Sequence, residues 1–201
     1  MKLESSKPAI FFLIMLAFIF TQCHKEEGTT TLETPDSLGI KGDLNLSFAP
    51  RFGDQAFEPV KSYTYTGKQK VMFSKVDFYI TGIKLEGNKP YESDMAGLID
   101  LTGDADKRLI SMIDIPSGNY TGITFTFGVT PILNKKSPKD FTSNNPLSFA
   151  SNYWADWDSY IFSVVQGLFD ENGQGNFNAG FSILTGTDDC SEKVEINRLL
   201  L

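Results

Sequence analysis

Histidine is nearly absent from this 201-residue sequence, in which His24 is the only one. It lies four residues after the end of an N-terminal apolar run at 9–20, so residues 25–201 contain no imidazole. A Ser-His-Asp or Cys-His catalytic arrangement is therefore excluded there, as is a zinc or copper site built on several imidazoles. The sequence also lacks a glycine-rich phosphate loop ahead of a helix, and nucleotide chemistry has no support.

Cysteine and basic residues are scarce as well. The two cysteines are Cys23 and Cys190. If Cys23 carries a lipid, no disulfide forms within the folded body, and we expect Cys190 to be a small buried hydrophobe. The formal net charge is −7, with 18 Lys and Arg against 25 Asp and Glu. Because affinity for nucleic acid comes from neutralising phosphates, we expect no nucleic-acid partner.

No segment of ten or more residues has the 3.6-residue period of a helix, whereas several short segments alternate like strands. The predicted strands lie within residues 44–48, 71–85, 98–101, 109–115, 123–127, 177–183 and 194–196, with a possible bulge at Gly82. Turns rich in Gly, Pro and Asn separate them. The pattern predicts an all-β fold, an antiparallel β-sandwich whose core is filled from 17 phenylalanines.

The N-terminus reads as an export signal. Residues 1–22 combine two lysines with an apolar run at 9–20, which is shorter than the roughly 20 residues that span a bilayer. Cys23 follows and is the predicted lipid anchor, although an ordinary secretory signal is the alternative. Residues 23–40 form a tether and 41–201 the folded domain. Residues 24–27 (His-Lys-Glu-Glu) resemble a surface-export signal, and a solvated charged tether is the alternative. We therefore expect an outer-membrane lipoprotein of a Gram-negative bacterium, on the periplasmic face or the cell surface.

The densest aromatic stretch follows a long loop at residues 130–152. It contains Tyr153, Trp154, Trp157 and Tyr160, which are the candidate surface for a ligand or partner. Two tryptophans three residues apart face opposite sides in a strand but share a face in a turn or short helix. If exposed, they could stack on a sugar ring or anchor a protein. If buried, they are core beneath the loop, which is the favoured alternative.

Other polar groups are weaker candidates. Asp170 opens a segment, 170–176, that alternates like a calcium loop but lacks the bidentate Glu at its end, and a hairpin turn is the favoured interpretation. Asp156 and Asp158 could form the carboxylate pair of a hydrolase, but nothing specifies their separation. The methionines at 72, 95 and 112 could be soft metal ligands, although core packing is the more typical role. No catalytic residue is predicted, and we expect no enzymatic activity.

Several motifs, taken in order, resemble the MbnP family of copper-binding extracytoplasmic proteins associated with methanobactin. They are the strand at 44–48, the Phe78-Tyr79 strand at 76–85, the Ile-Pro-Ser-Gly-Asn-Tyr turn at 115–120, the strand at 125–129 and the tryptophan-rich segment at 157–167. The resemblance covers about residues 42–190. It implies a β-sandwich, a role in copper handling, a di-haem peroxidase-type partner and strands beyond the present C-terminus.

The copper ligands that the resemblance implies, two histidines and an oxidised tryptophan (kynurenine), do not carry over. Asn178 stands where the family strand offers His before Gly. Ser159 and Gln166 replace the Gly before Tyr160 and the Glu before Gly167. Only Trp154 or Trp157 could correspond to the modified tryptophan. We therefore predict no metal-ligating residues and a lost imidazole site, with copper as a cofactor only through the resemblance. The alternative is a surface module that recognises a glycan or a partner protein through residues 130–160.

Overall fold

The computed structural model describes residues 39–197, so the predicted signal peptide, Cys23 and most of the tether lie outside the described residues. The strands are β1 (Lys41–Ser47), β2 (Arg51–Phe52), β3 (Gln55–Ala56), β4 (Ser62–Thr66), β5 (Gln69–Gly87), β6 (Tyr91–Ser93), β7 (Gly97–Asp100), β8 (Leu109–Pro116), β9 (Tyr120–Phe127), β10 (Tyr153–Trp154), β11 (Ser159–Asp170), β12 (Ala179–Gly186) and β13 (Glu192–Ile196). The helices are α1 (Pro131–Asn134) and short 3-10 turns at Ala105–Arg108, Pro138–Asp140, Pro146–Ser148, Ala150–Asn152, Ala155–Trp157 and Asp188–Cys190.

The 19-residue strand β5 organises the large sheet. One of its edges pairs in turn with β4, β7 and β6, and the other pairs first with β11 and then with β9. β12 extends the sheet beyond β11, and β13 extends it beyond β9. Every pairing is antiparallel, as an all-β fold with short connections requires. The prediction of an all-β antiparallel fold is confirmed.

The second layer is the two-stranded sheet formed by β1 and β8, which pack against the large sheet. Alternate side chains of both layers meet in one core. Its buried members include Leu46, Phe48, Phe78, Ile80, Ile99, Met112, Ile123 and Phe125. Edge-to-face contacts join Phe48 to Phe78 and to Phe125, with ring centroids 5.7 and 6.4 Å apart. Full burial of each such side chain contributes about 1.5–3 kcal/mol, so the core needs no disulfide.

Gly82 forms the predicted bulge in the middle of β5. Its φ of +59° lies in the left-handed region, which glycine adopts without a steric penalty. The β5–β9 register shifts between Thr81 and Lys84. A Cβ on Gly82 would lie 2.9 Å from the methyl of Thr130. The bulge lies in the part of β5 that pairs with β9 and no longer with β11.

Asp170 closes the β11–β12 hairpin rather than a calcium loop. It is almost completely buried, and its carboxylate accepts hydrogen bonds from the backbone N–H groups of Asn172, Gly173 and Gly175 at 3.2, 2.9 and 2.7 Å. Burial works against the charge, but these N–H groups outweigh it and lower the pKa of the Asp170 carboxyl. The favoured hairpin interpretation therefore accounts for this aspartate.

Acid should weaken this hairpin selectively. Because the pKa of Asp170 is lowered in the folded state, its contribution is complete above the unfolded pKa and is lost as the pH falls through the folded pKa. We expect Asp170→Asn to be less stable than wild type at neutral pH, with the gap closing in acid. Urea unfolding of wild type and Asp170→Asn, from neutral to acidic pH, checks this prediction. A gap that is independent of pH would contradict the assignment.

Two further observations concern the ends of the fold. Cys190 is exposed in the turn after β12, with a free thiol, so the prediction that it is a buried hydrophobe is wrong. Within residues 39–197, no helix has the length and apolar character needed to cross a membrane.

Candidate functional site

Trp154 and Trp157 form a stacked pair at one end of the large sheet. Their ring centroids are 5.0 Å apart and their planes differ by 18°. Each side chain is 40% exposed, so the expectation that they are buried under the loop is wrong. Trp154 ends β10 and Trp157 ends a one-turn 3-10 helix. Since side chains three residues apart eclipse in that geometry, the two rings share one face.

The turn after Trp157 fixes the position of this pair. Asp158 adopts a left-handed conformation, with φ 49° and ψ 44°, and directs the chain back so that Trp154 pairs with Ser159. The Tyr153 hydroxyl donates a 2.6 Å hydrogen bond to the Asp158 carboxylate. This bond raises the pKa of Tyr153. The half-buried Tyr153 therefore braces the turn, while the tryptophans face outward.

Asn134 joins the three segments beneath the tryptophan pair. Its side-chain oxygen accepts from the Ser159 hydroxyl and from the Tyr160 N–H, each at 3.0 Å, and its amide donates to Asp188 at 3.0 Å. The Thr187 N–H donates to the Ser159 hydroxyl at 2.9 Å. One buried amide thus connects α1, the start of β11 and the turn after β12. No local pattern around residue 134 predicts this role, because the partners lie 25 to 54 residues away.

Tyr160 is fully buried and does not belong to the candidate surface that the sequence predicted. Its hydroxyl donates to the Leu147 carbonyl at 3.0 Å. The Tyr79 hydroxyl donates to the Pro146 carbonyl at 2.9 Å and accepts a hydrogen bond from the Asn152 amide. Burial raises the pKa of Tyr79 to about 12. The two tyrosines hold the loop at 130–152 on the sheet, which gives the exposed pair a rigid base.

Gly186 provides the space for Trp157. A Cβ on Gly186 would lie 2.7 Å from Cε3 of Trp157 and 2.8 Å from the Tyr160 carbonyl oxygen. We expect Gly186→Ala to displace Trp157 and to abolish the exciton signal of stacked indoles in circular dichroism. Gly180→Ala, on the same strand with nothing near its Cβ, is the matched control and should keep the signal. An unchanged signal in Gly186→Ala would contradict this packing.

Comparison with known proteins identifies the family of this chain. The family model described as MbnP matches residues 41–199. The chain belongs to the MbnP family. Its structure is similar to that of MbnP from Methylosinus trichosporium, with a TM-score of 0.55, 11% sequence identity, and coverage of 80% of this chain and 73% of that one. No curated protein matches the sequence.

The fold of this chain separates the residues that the resemblance would group around copper. Asn178 precedes β12, whereas Gly186, which approaches Trp157, ends that strand. At about 3.3 Å per residue, the two positions are roughly 25 Å apart. Among residues 39–197, no group of three or more His, Cys, Asp or Glu side chains could hold a metal ion. A metal held by residue 178 could not contact either tryptophan.

The other substituted family positions and the methionines occupy different parts of the fold. Ser159 is a buried hydrogen-bonding residue, and the Gln166 amide donates to Ser182 on the sheet surface. Met112 is buried in the core, Met95 is 37% exposed, and Met72 lies near the start of β5. The stacked tryptophans are therefore the strongest candidate for a binding site in this MbnP protein.

Proposed function

We propose that this chain is a non-enzymatic, extracytoplasmic binding protein of the MbnP family, held at the outer membrane by a lipid on Cys23. The apolar run at 9–20 and the cysteine that follows it support export and anchoring. The family match begins at residue 41, which supports our proposal that residues 23–40 are a tether. The absence of histidine from residues 41–201 supports a role without imidazole-based catalysis.

Its ligand surface is the tryptophan pair, and the ligand class is a neutral sugar ring. The observation that carries this proposal is the nearly parallel stacking of two exposed indoles. Because the rings stack face to face, a ligand can reach only an outer face of the stack, and one indole face of this kind matches the apolar C–H face of a pyranose. Because the two rings are nearly parallel, they form no cage of walls around a cation, which is the arrangement that recognises quaternary ammonium groups.

The carboxylates beside the pair support the same ligand class. Asp156 and Asp158 flank Trp157 and are exposed. Carboxylates only accept hydrogen bonds, which suits the hydroxyl donors of a sugar. In a protein with net charge −7, they also disfavour acidic glycans. Asp158 accepts the Tyr153 hydrogen bond, so one of the two carboxylates stabilises the turn, and we favour binding over the hydrolase hypothesis.

A glycan array with the purified chain tests this proposal. We expect binding to neutral glycans and none to their sulfated or carboxylated counterparts. Asp156→Asn should extend binding toward acidic glycans without abolishing neutral ones. Failure to bind any glycan, or binding that persists when both tryptophans are replaced by alanine, would overturn the proposal.

Copper handling is the second candidate, favoured by the family match, and we propose that its imidazole site is lost in this chain. We expect no stoichiometric copper uptake by the His24→Ala variant, which removes the tether imidazole. Adding Asn178→His should not create a site with the tryptophans, because β12 separates the two positions. Equilibrium dialysis against a competing chelator measures this. Tight uptake that depends on Trp154 or Trp157 would contradict it.

A di-haem peroxidase-type partner belongs to the same family-based proposal. Such a partner would leave an oxidised tryptophan, either Trp154 or Trp157, since these are the only two in the chain. Mass spectrometry of the protein purified from its native host tests this. Intact tryptophans would argue against the partner and would leave the sugar-binding proposal unaffected.

A further inference from the structure

The outer edge of β12 is unpaired within the described part of the chain. β12 hydrogen-bonds to β11 along its inner edge from Ala179 to Gly186, and no described strand pairs with its other edge. An eight-residue free edge presents a row of backbone N–H and C=O groups that can pair with a further strand. This edge is therefore a potential site of strand addition.

β12 has no charged side chains that would protect its outer edge from pairing with another strand. Residues 172–187 form a run without any Asp, Glu, Lys or Arg, and all of β12 lies within it. β13, the outer strand beyond β9, carries Glu192, Lys193 and Glu195. Charged side chains are a common protection of exposed strand edges against unwanted pairing. β13 has that protection and β12 does not.

An apolar groove of about 140 Å³ lies beside the unprotected edge. Its walls include Phe181 and Ile183 of β12, Val165 and Phe169 of β11, and Tyr65 of β4. Tyr65 is 51% exposed and Ile183 is 45% exposed. A strand added to β12 would bring its side chains next to Phe181 and Ile183, since directly opposite Cβ atoms lie about 4.5–5.5 Å apart.

We propose that β12 pairs with β12 of a second copy of this chain, antiparallel and centred on Ser182, to form a continuous sheet across a two-fold axis. With this centre, Phe181 lies opposite the partner's Ile183, and Ile183 lies opposite the partner's Phe181. Aromatic and β-branched residues are a favourable cross-strand combination. A two-fold axis perpendicular to the sheet keeps both grooves on the same face, where they become neighbours.

Charge favours a second copy meeting at this edge. Each copy has a net charge of −7, so two copies repel each other across most of their surfaces. The neutral run at 172–187 is a surface where they can approach without opposing like charges. An isologous contact also requires only that the strand complement itself, which the Phe181–Ile183 exchange provides.

The mass of the purified full-length chain in detergent, measured by analytical ultracentrifugation, tests the proposal. We expect a dimer for wild type and at least about tenfold weaker association for Ile183→Lys, because each dimer would then bury two unpaired ammonium groups beside apolar neighbours. Gly180→Lys is a second disrupting variant. The Cβ of residue 180 meets no other atom, so the monomer should fold normally.

Cross-linking tests the register. In a Cys190→Ser background, Ser182→Cys should form an intermolecular disulfide in intact membranes, because residue 182 faces its own copy across the axis. Ser111→Cys, an exposed serine on β8, is the control and should not cross-link. A monomeric wild type, a dimer unaffected by both lysine variants, or equal cross-linking at 182 and 111 would overturn the proposal. So would capture of a different protein by Ser182→Cys.

Discussion

Gly167→Ala is expected to lower the free energy of unfolding by about 3 kcal/mol or more, at the upper end of the cost of overpacking. A Cβ at residue 167 would overlap the carbonyl oxygen of Met72 on β5, and it would lie 2.7 Å from Cζ of Phe181 on β12. The Met72 oxygen is backbone in a part of β5 that is paired with β11 on one side and β4 on the other, so it cannot move without disturbing both pairings. Urea unfolding of the purified protein measures the loss.

The control for this substitution is Gly180→Ala, on the strand that neighbours β11. Residue 180 pairs with Leu168, and nothing lies near its Cβ. We expect it to stay within about 0.5 kcal/mol of wild type, as surface substitutions usually do. Equal stabilities for the two alanine variants would refute the packing of this region. The close approach of β5, β11 and β12 thus explains the glycine at residue 167.

Trp154→Ala is expected to weaken binding of a sugar ligand by at least tenfold, equivalent to about 1.4 kcal/mol. Trp154 supplies an exposed indole of the stacked pair, and alanine removes that surface. Because the side chain is only 40% exposed, the substitution also removes buried contact area, and urea unfolding of the variant is needed to separate a binding defect from lost stability. Calorimetric titration with a glycan selected on the array provides the affinities.

The matched control for this loss is Tyr65→Ala. Tyr65 is 51% exposed and contacts Phe169, near the opposite end of β11. The Tyr65→Ala variant removes a similar exposed ring from the same sheet and should leave sugar affinity unchanged. Affinity lost in Tyr65→Ala and retained in Trp154→Ala would place the ligand in the apolar groove instead of on the tryptophans.

The strands could be predicted because their signal is local. In β9, Ile123 and Phe125 face the core as the alternation indicates, and Gly82 marks the bulge in β5. The continuity of β5 over 19 residues could not be predicted. It depends on a change of neighbour from β11 to β9, and these strands lie far from β5 and from each other in the chain.

The site was less predictable than the fold, for reasons visible in two side chains. The exposure of Trp157 depends on the left-handed Asp158 and on a glycine at 186, neither of which has a signature near the tryptophan. Tyr160 is buried because Leu147 and Asn134 reach it from the loop. An amphipathic aromatic residue suits core and surface alike, so only the tertiary partners decide its role.

Tryptophan fluorescence gives the most direct test of the central claim, that this MbnP protein uses a paired aromatic surface in place of imidazoles. Both tryptophans of the chain belong to the stacked pair, so the whole tryptophan signal reports on the site. Titration with neutral oligosaccharides is predicted to give a saturable change, and stoichiometric copper(II) is predicted to give none. Saturation by one equivalent of copper, with no response to any sugar, would contradict the account.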